Sequence, residues 1–266
     1  MRPASTRRRR ARKHVMVGSI VLIATVAALV SVAIWKFNQD PSPTALLCPP
    51  EGPRAHIALL VDKTDPLTFT QAKAFAGLLS SFSSGRRVKE GELLSVFVLG
   101  EDFRKTADPI FEKCNPGDGR DKSKVKDNPD LWKKRFREEY EVPVLQLEDQ
   151  LKSLKPAARS PIMEMIQLVS VAFERRDVRG PRRLIIVSDL LHNTSDLSMY
   201  SESVDFETAM KRAEFQRLRA KLPGTDVDVF LLLNRPEVQN RSLIKFWEDY
   251  FKDAGAVLQH VEPVPG

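Results

Sequence analysis

Apolar residues run uncharged from residue 15 to residue 35, about 21 positions that would rise roughly 31 Å as a helix, against a hydrocarbon core of about 30 Å. The run is apolar on every face, whereas a core helix carries one buried stripe. A secretory signal peptide is the rival reading, because VSVA at 30–33 resembles a cleavage site, but the apolar core of a signal is shorter, about 7–15 residues. Residues 37–53 then lose all apolar period and gain prolines, which marks a linker. Beyond it two patterns alternate. Short continuous apolar runs at 56–62, 93–100, 182–189, 226–233 and 256–261 read as strands buried on both faces. DPIFEKC, 108–114, adds a short strand that turns back beside the second. Between them, helical spacing covers 68–82, with Phe69, Ala72, Phe75, Ala76 and Leu79 inward, and 131–155, interrupted at Pro143. It returns at 160–175, with Ile162, Ile166, Val169 and Phe173 inward, at 205–221 and at 242–253.

Such alternation predicts an α/β fold, doubly wound, with a mostly parallel central sheet and helices on both faces. The expected layout is a basic tail at 1–14, a transmembrane helix at 15–36, a linker at 37–54 and one α/β domain at 55–266 with an insertion around 101–130. The stretch 115–129 mixes acidic and basic residues with almost nothing apolar, so it reads as a surface loop.

Charge fixes the expected topology. Arg2, Arg7, Arg8, Arg9, Arg10, Arg12 and Lys13 precede the apolar run with no acidic residue among them, which puts the amino terminus in the cytoplasm. The whole chain carries 42 basic and 35 acidic residues; removing those seven leaves 35 against 35. The remainder is neutral and lacks the electrostatic footprint of a nucleic-acid binder. Cys48 and Cys114, the two cysteines, both fall beyond the predicted membrane span, where a disulfide can form and persist. We expect them to be bonded; two separate buried thiols are the alternative.

In an open α/β sheet ligands collect at the carboxyl ends of the strands, where strand order reverses. Two of the predicted strands end there in aspartate: Asp62-Lys63-Thr64-Asp65-Pro66, and Ser188-Asp189. Ser160, at the start of a predicted helix, would add a hydroxyl. Clustered carboxylates and hydroxyls suit a hard cation such as magnesium or calcium. The competing reading makes Asp62 and Asp189 caps of the helices that follow, and Ser160-Pro161 an ordinary helix start. Catalytic signatures are sparse: no second aspartate stands two residues after Asp62, and there is neither a G-x-S-x-G elbow nor a phosphate-cradling glycine loop. His192 reads as a solvated loop histidine.

The order of these residues resembles the von Willebrand factor A family, whose metal-ion-dependent adhesion site uses a D-x-S-x-S loop after the first strand, a later threonine and a late aspartate. The resemblance puts Asp62 and Thr64 at the first and third loop positions, Ser160 near the threonine position and Asp189 at the late aspartate. Pro66 occupies the fifth position and has no side-chain oxygen, so Asp65 or Thr68 would have to compensate. It implies an α/β domain that binds another protein, with magnesium or calcium as the one cofactor and no catalysis. The short basic tail and compact layout resemble those of bacterial inner-membrane proteins, with the domain in the periplasm. A membrane-anchored, metal-dependent phosphoester hydrolase and a purely structural envelope subunit are the alternatives.

Overall fold

The computed structural model describes residues 21–32, 45–99, 108–120, 128–152, 158–176, 178–195, 197–200 and 205–266. It divides into two units, residues 1–41 with 119–132, and residues 42–118 with 133–266. In the first, residues 21–32 form helix α1, exposed throughout. The rest of the expected span and the whole basic tail lie outside the described residues, among which no helix is long and apolar enough to cross a membrane.

The second unit is built on six strands: β1 (His56–Asp62), β2 (Leu93–Leu99), β3 (Phe111–Cys114), β4 (Arg182–Ser188), β5 (Thr225–Leu233) and β6 (Ala256–Pro265). They lie in the order β3-β2-β1-β4-β5-β6. Every neighbouring pair is parallel except β2 and β3. The short strand read from DPIFEKC does turn back beside β2, pairing Leu93 with Cys114. Because successive strand side chains point to opposite faces, each strand feeds two cores. Ala58, Leu60, Leu184, Ile186, Val227 and Val229 pack on one face with helices α5 (Ile162–Arg176) and α8 (Arg241–Asp253). Ile57, Leu59, Val61, Val96, Ile185 and Val187 pack on the other with α2 (Phe69–Ser83) and α4 (Val142–Lys152). The mostly parallel, doubly covered sheet is therefore as the alternation predicts.

Several expectations are corrected. Phe69, assigned to the inward stripe of α2, is 86% exposed. The buried stripe is Gln71, Phe75, Leu78, Leu79 and Phe82, the face that packs on the sheet, while Phe69 is the first residue after the Thr68 cap and turns away from it. The helix read as broken at Pro143 runs from α3 (Pro129–Arg135) through a π-helical turn, Phe136–Glu141, into α4. Proline lacks an N–H and crowds the carbonyl four residues back; in this wider turn the N–H of Val142 reaches the carbonyl of Arg137 instead. The helix expected at 205–221 is two short ones, α6 (Phe206–Met210) and α7 (Ala213–Gln216), separated at Arg212, which has extended backbone. That break lets Phe206 and Phe215 both meet Phe246 edge to face, at 5.7 and 5.9 Å. Asn115, read as the start of a surface loop, is buried with its amide donating to the Val88 carbonyl at 2.7 Å.

At the amino-end edge of the sheet, Cys48 and Cys114 form a disulfide with Sγ–Sγ 2.09 Å. The bond lies beside Leu93, so part of the segment read as linker is packed into the domain. His56, also at this edge, is wholly buried: its Nε2 lies 2.8 Å from Ser95 Oγ, which donates to Glu112, itself paired with Arg176.

Candidate functional site at the strand ends

The strand order reverses between β1 and β4, which places the candidate residues on one edge. Asp62 ends β1, Ser188 ends β4, and Ser160 stands before α5, held by paired backbone bonds to Asn193 at 2.9 Å each. Thr64, Ser160 and Ser188 all turn their hydroxyls onto Asp62. Its Oδ1 accepts from the Thr64 backbone N–H at 3.0 Å and from Thr64 Oγ1 at 2.8 Å. Its Oδ2 accepts from Ser160 Oγ at 3.1 Å and from Ser188 Oγ at 2.7 Å. The carboxylate is 4% exposed, and burial raises its pKa despite these four donors. One buried acid thus ties together three segments that are far apart in sequence.

Asp189 stands beside this knot without a direct hydrogen bond to it. Oδ1 accepts from the Leu191 N–H at 2.9 Å, and Oδ2 from Tyr200 OH at 3.4 Å. Its side chain is 3% exposed. Burial first, and then the nearby charges of Asp62 and Asp65, push its pKa up to about 7. The next residue, Leu190, has φ 61°, a left-handed conformation that costs an L side chain about 1–2 kcal/mol. Three bonds hold it there: its N–H donates to Ser188 Oγ at 2.9 Å, and its carbonyl accepts from the Trp247 indole at 2.9 Å and from the His192 N–H at 3.1 Å. Gln239 fixes the same turn by donating to the Asp189 carbonyl at 2.9 Å.

The helix-cap reading of the aspartates is not what the structure shows. Thr68, with Gln71, caps α2, and Asp205 caps α6; Asp62 and Asp189 close local turns within their own loops. Thr68, offered as a substitute ligand, is committed to that cap. Asp65 is exposed on the loop. His192 is buried and not solvated: its Nδ1 accepts from the Met163 N–H at 3.4 Å, and Nε2 lies 3.3 Å from Thr194 Oγ1. Sequence reasoning missed Ser188 as a partner of Asp62, and missed Tyr200, Gln239 and Trp247 altogether. Ser188 was legible in principle, as the hydroxyl preceding the late aspartate; the other three depend on tertiary contacts.

Among the described residues no three His, Cys, Asp or Glu side chains converge as a metal-holding group. What converges here is one carboxylate with three hydroxyls, with Asp189 near enough to feel its charge; the donors are all oxygen, the type magnesium and calcium prefer. On the outer side of the loop, Lys63, Asp65, Leu67 and Phe69 face Phe75, Glu148 and Leu151 across a groove of about 440 Å³.

No protein-family model matches the chain, and no curated protein is similar to it. Among solved structures it is similar to an aerotolerance-related membrane protein from Bacteroides fragilis, at 11% identity over 78% of this chain and 90% of that one, TM-score 0.38. It is also similar to the conserved hypothetical protein BatB from Bacteroides thetaiotaomicron, at 13% identity over 80% and 91%, TM-score 0.40. A third similarity is to the human COPII-coat protein Sec24c, at 10% identity, TM-score 0.44; the match covers 83% of this chain and 31% of the coat protein.

Proposed function

We propose that the chain is a membrane-anchored, non-enzymatic interaction module of von Willebrand A type, which docks another protein on the loops at the carboxyl ends of β1 and β4. One observation carries the reading: the Asp62 carboxylate, fully hydrogen-bonded, joins the β1 loop, the start of α5 and the end of β4 into one rigid edge. Loops fixed by a rigid scaffold are the usual carriers of binding, and pre-organisation removes the ordering cost of association. Asp62, Thr64, Ser160, Ser188 and Asp189 would hold the magnesium or calcium ion. When bound, that ion supplies a positive centre toward which a partner's carboxylate is drawn; the residues themselves orient the loops and balance its charge. Anchoring is supported by the uncharged run at 15–35, and the disulfide supports an oxidising compartment, the periplasm of a bacterial inner-membrane protein. The insertion at 115–129 is the other candidate contact surface, since loops on a rigid scaffold often carry binding; its residues 121–127 lie outside the described residues.

The test is a photo-crosslinking scan of the full chain in its source cells. Benzoylphenylalanine at Asp65 or Ser195, on the strand-end edge, is expected to give a covalent adduct with another protein, and at Lys89 or Pro223, near the amino ends of the strands, to give none. Adducts from Lys89 and Pro223 alone would overturn the reading. Calorimetric titration of magnesium, calcium and manganese belongs beside it, with heat expected for the native chain and lost in Asp62→Ala and Asp189→Ala. Turnover of p-nitrophenyl phosphate that disappears in Asp62→Ala would put the metal-dependent hydrolase in its place.

A further inference from the structure

Lys63 is the second residue of interest on the β1 loop, and nothing in the strand-end knot uses it. The residue as a whole is 8% exposed, partial burial lowers the pKa of its ammonium, and it lines the 440 Å³ groove between the loop, the start of α2 and the end of α4. Among the described residues no carboxylate lies within ion-pair distance of its ammonium. The groove's other acids do not serve: Asp65 is exposed on the rim, and Glu148 has a partner of its own. A buried cation without a counter-charge is costly, and the cost is recovered when a ligand brings the anion. The remaining wall is apolar. Leu67, Ala72, Phe75 and Leu151 line it, and Phe69 stands almost fully exposed at its mouth, on the first position of α2. Leu145, 43% exposed and one turn before Glu148 on α4, extends the apolar surface beyond the groove.

From this placement we infer that the groove receives a segment of the partner protein carrying an acidic side chain beside a bulky apolar one. The carboxylate pairs with Lys63, the apolar side chain packs on Phe69, Phe75 and Leu151, and a basic residue of the segment passes over Asp65. The inference rests on the interaction reading and names the chemistry of the partner. It differs from metal-mediated docking in that the protein's own lysine, and not a bound cation, takes the acid. Charge complementarity selects a peptide segment over a plain lipid chain, because the two ends of the groove carry opposite charges, Lys63 within and Asp65 on the rim.

The experiment uses the full chain in detergent micelles and two arrays of decapeptides. One has a fixed central Leu-Glu-x-Lys and the other Leu-Gln-x-Lys, with the remaining positions randomised. The glutamate array should be bound about ten-fold more tightly, the worth of one charged hydrogen bond, and the preference should vanish in Lys63→Met, which keeps the aliphatic stem. Phe69→Ser, at an exposed position that threatens no core, should weaken both arrays by a similar factor. Equal binding of the two arrays, unmoved by Lys63→Met, would overturn the inference while leaving the interaction reading intact. So would silence of both arrays where the Asp65 crosslinker still captures a protein. Displacement of the peptides by oleate in the native chain but not in Lys63→Met would give the groove to a lipid carboxylate, and a crosslinked adduct of two copies of this chain would give it to self-association; either result would also overturn the inference. Failure of the crosslinker at every strand-end position would instead remove the interaction reading itself.

Discussion

Replacing Asp189 with asparagine should change the pH dependence of stability more than stability itself at low pH. The amide keeps both contacts of the acid, accepting from the Leu191 N–H and meeting the Tyr200 hydroxyl, so the substitution removes the charge and little else. In the folded protein the carboxyl pKa is raised from 3.8 to about 7, so the native state holds a proton that the unfolded chain releases. Its stabilising effect is complete below pH 3.8 and is lost as pH rises through 7. At about 1.4 kcal/mol for each unit, the loss amounts to about 4 kcal/mol by pH 8. His56 works in the opposite sense. Burial lowers its pKa from 6.5 to about 4, so its contribution is complete above pH 6.5 and is lost as pH falls toward 4, by about 3 kcal/mol. His56 opposes Asp189 over the same range, whereas Asp62, whose pKa burial also raises, adds to the loss as pH rises. Urea unfolding followed by tryptophan fluorescence in the presence of a chelator, from pH 4 to pH 8, compares the native protein with Asp189→Asn at each pH. Asp189→Asn should lie close to the native chain at pH 4 and exceed it by about 4 kcal/mol at pH 8, the difference growing between. A difference that stays constant across this range would refute the placement of Asp189 in a buried, like-charged setting. If the strand-end oxygens hold a cation, millimolar magnesium should close most of that gap by stabilising the native chain alone.

Two further outcomes follow from the same geometry. Ser188→Ala removes one donor to Asp62 and the acceptor of the Leu190 N–H, both fully buried, and should cost about 3 kcal/mol in chemical unfolding, with Ser188→Thr recovering part of it. Removing the Cys48–Cys114 bond, which closes a loop spanning 66 positions, should lower stability by about 4 kcal/mol; alkylation with mass measurement before and after reduction counts the thiols independently.

The fold was largely legible because it rests on periodicity. The five longer strands emerge as apolar runs, and their ends fall within a few residues of the expected positions; β6 alone runs markedly longer, to Pro265. What escaped was set by contacts between distant residues. Nothing near Phe69 distinguishes it from the inward Phe75 until the helix is laid on the sheet. Arg212 breaks a periodic helix because Phe206 and Phe215 both pack on Phe246, some thirty residues on. Within the site, strand-end aspartates can be read from sequence, and so can a hydroxyl at Ser160. The convergence of Ser160 and Ser188 on one carboxylate oxygen, across 98 and 126 positions of chain, cannot.

The poles of the sheet also set a direction for force. Chain entering from the amino-terminal side reaches the sheet at Cys48, beside the start of β2, whereas Asp62 and its loop sit at the far end of β1. A pull applied between Cys48 and the loop after Asp62 would run along the axis of β1. Its parallel neighbours on both sides would then be loaded in shear, with every rung of both ladders resisting together and no single hydrogen bond peeling first. The covalent bridge to Cys114 adds a second route, carrying part of the tension into the antiparallel edge strand before it reaches His56. A domain wired in this way resists load between those two poles as a unit.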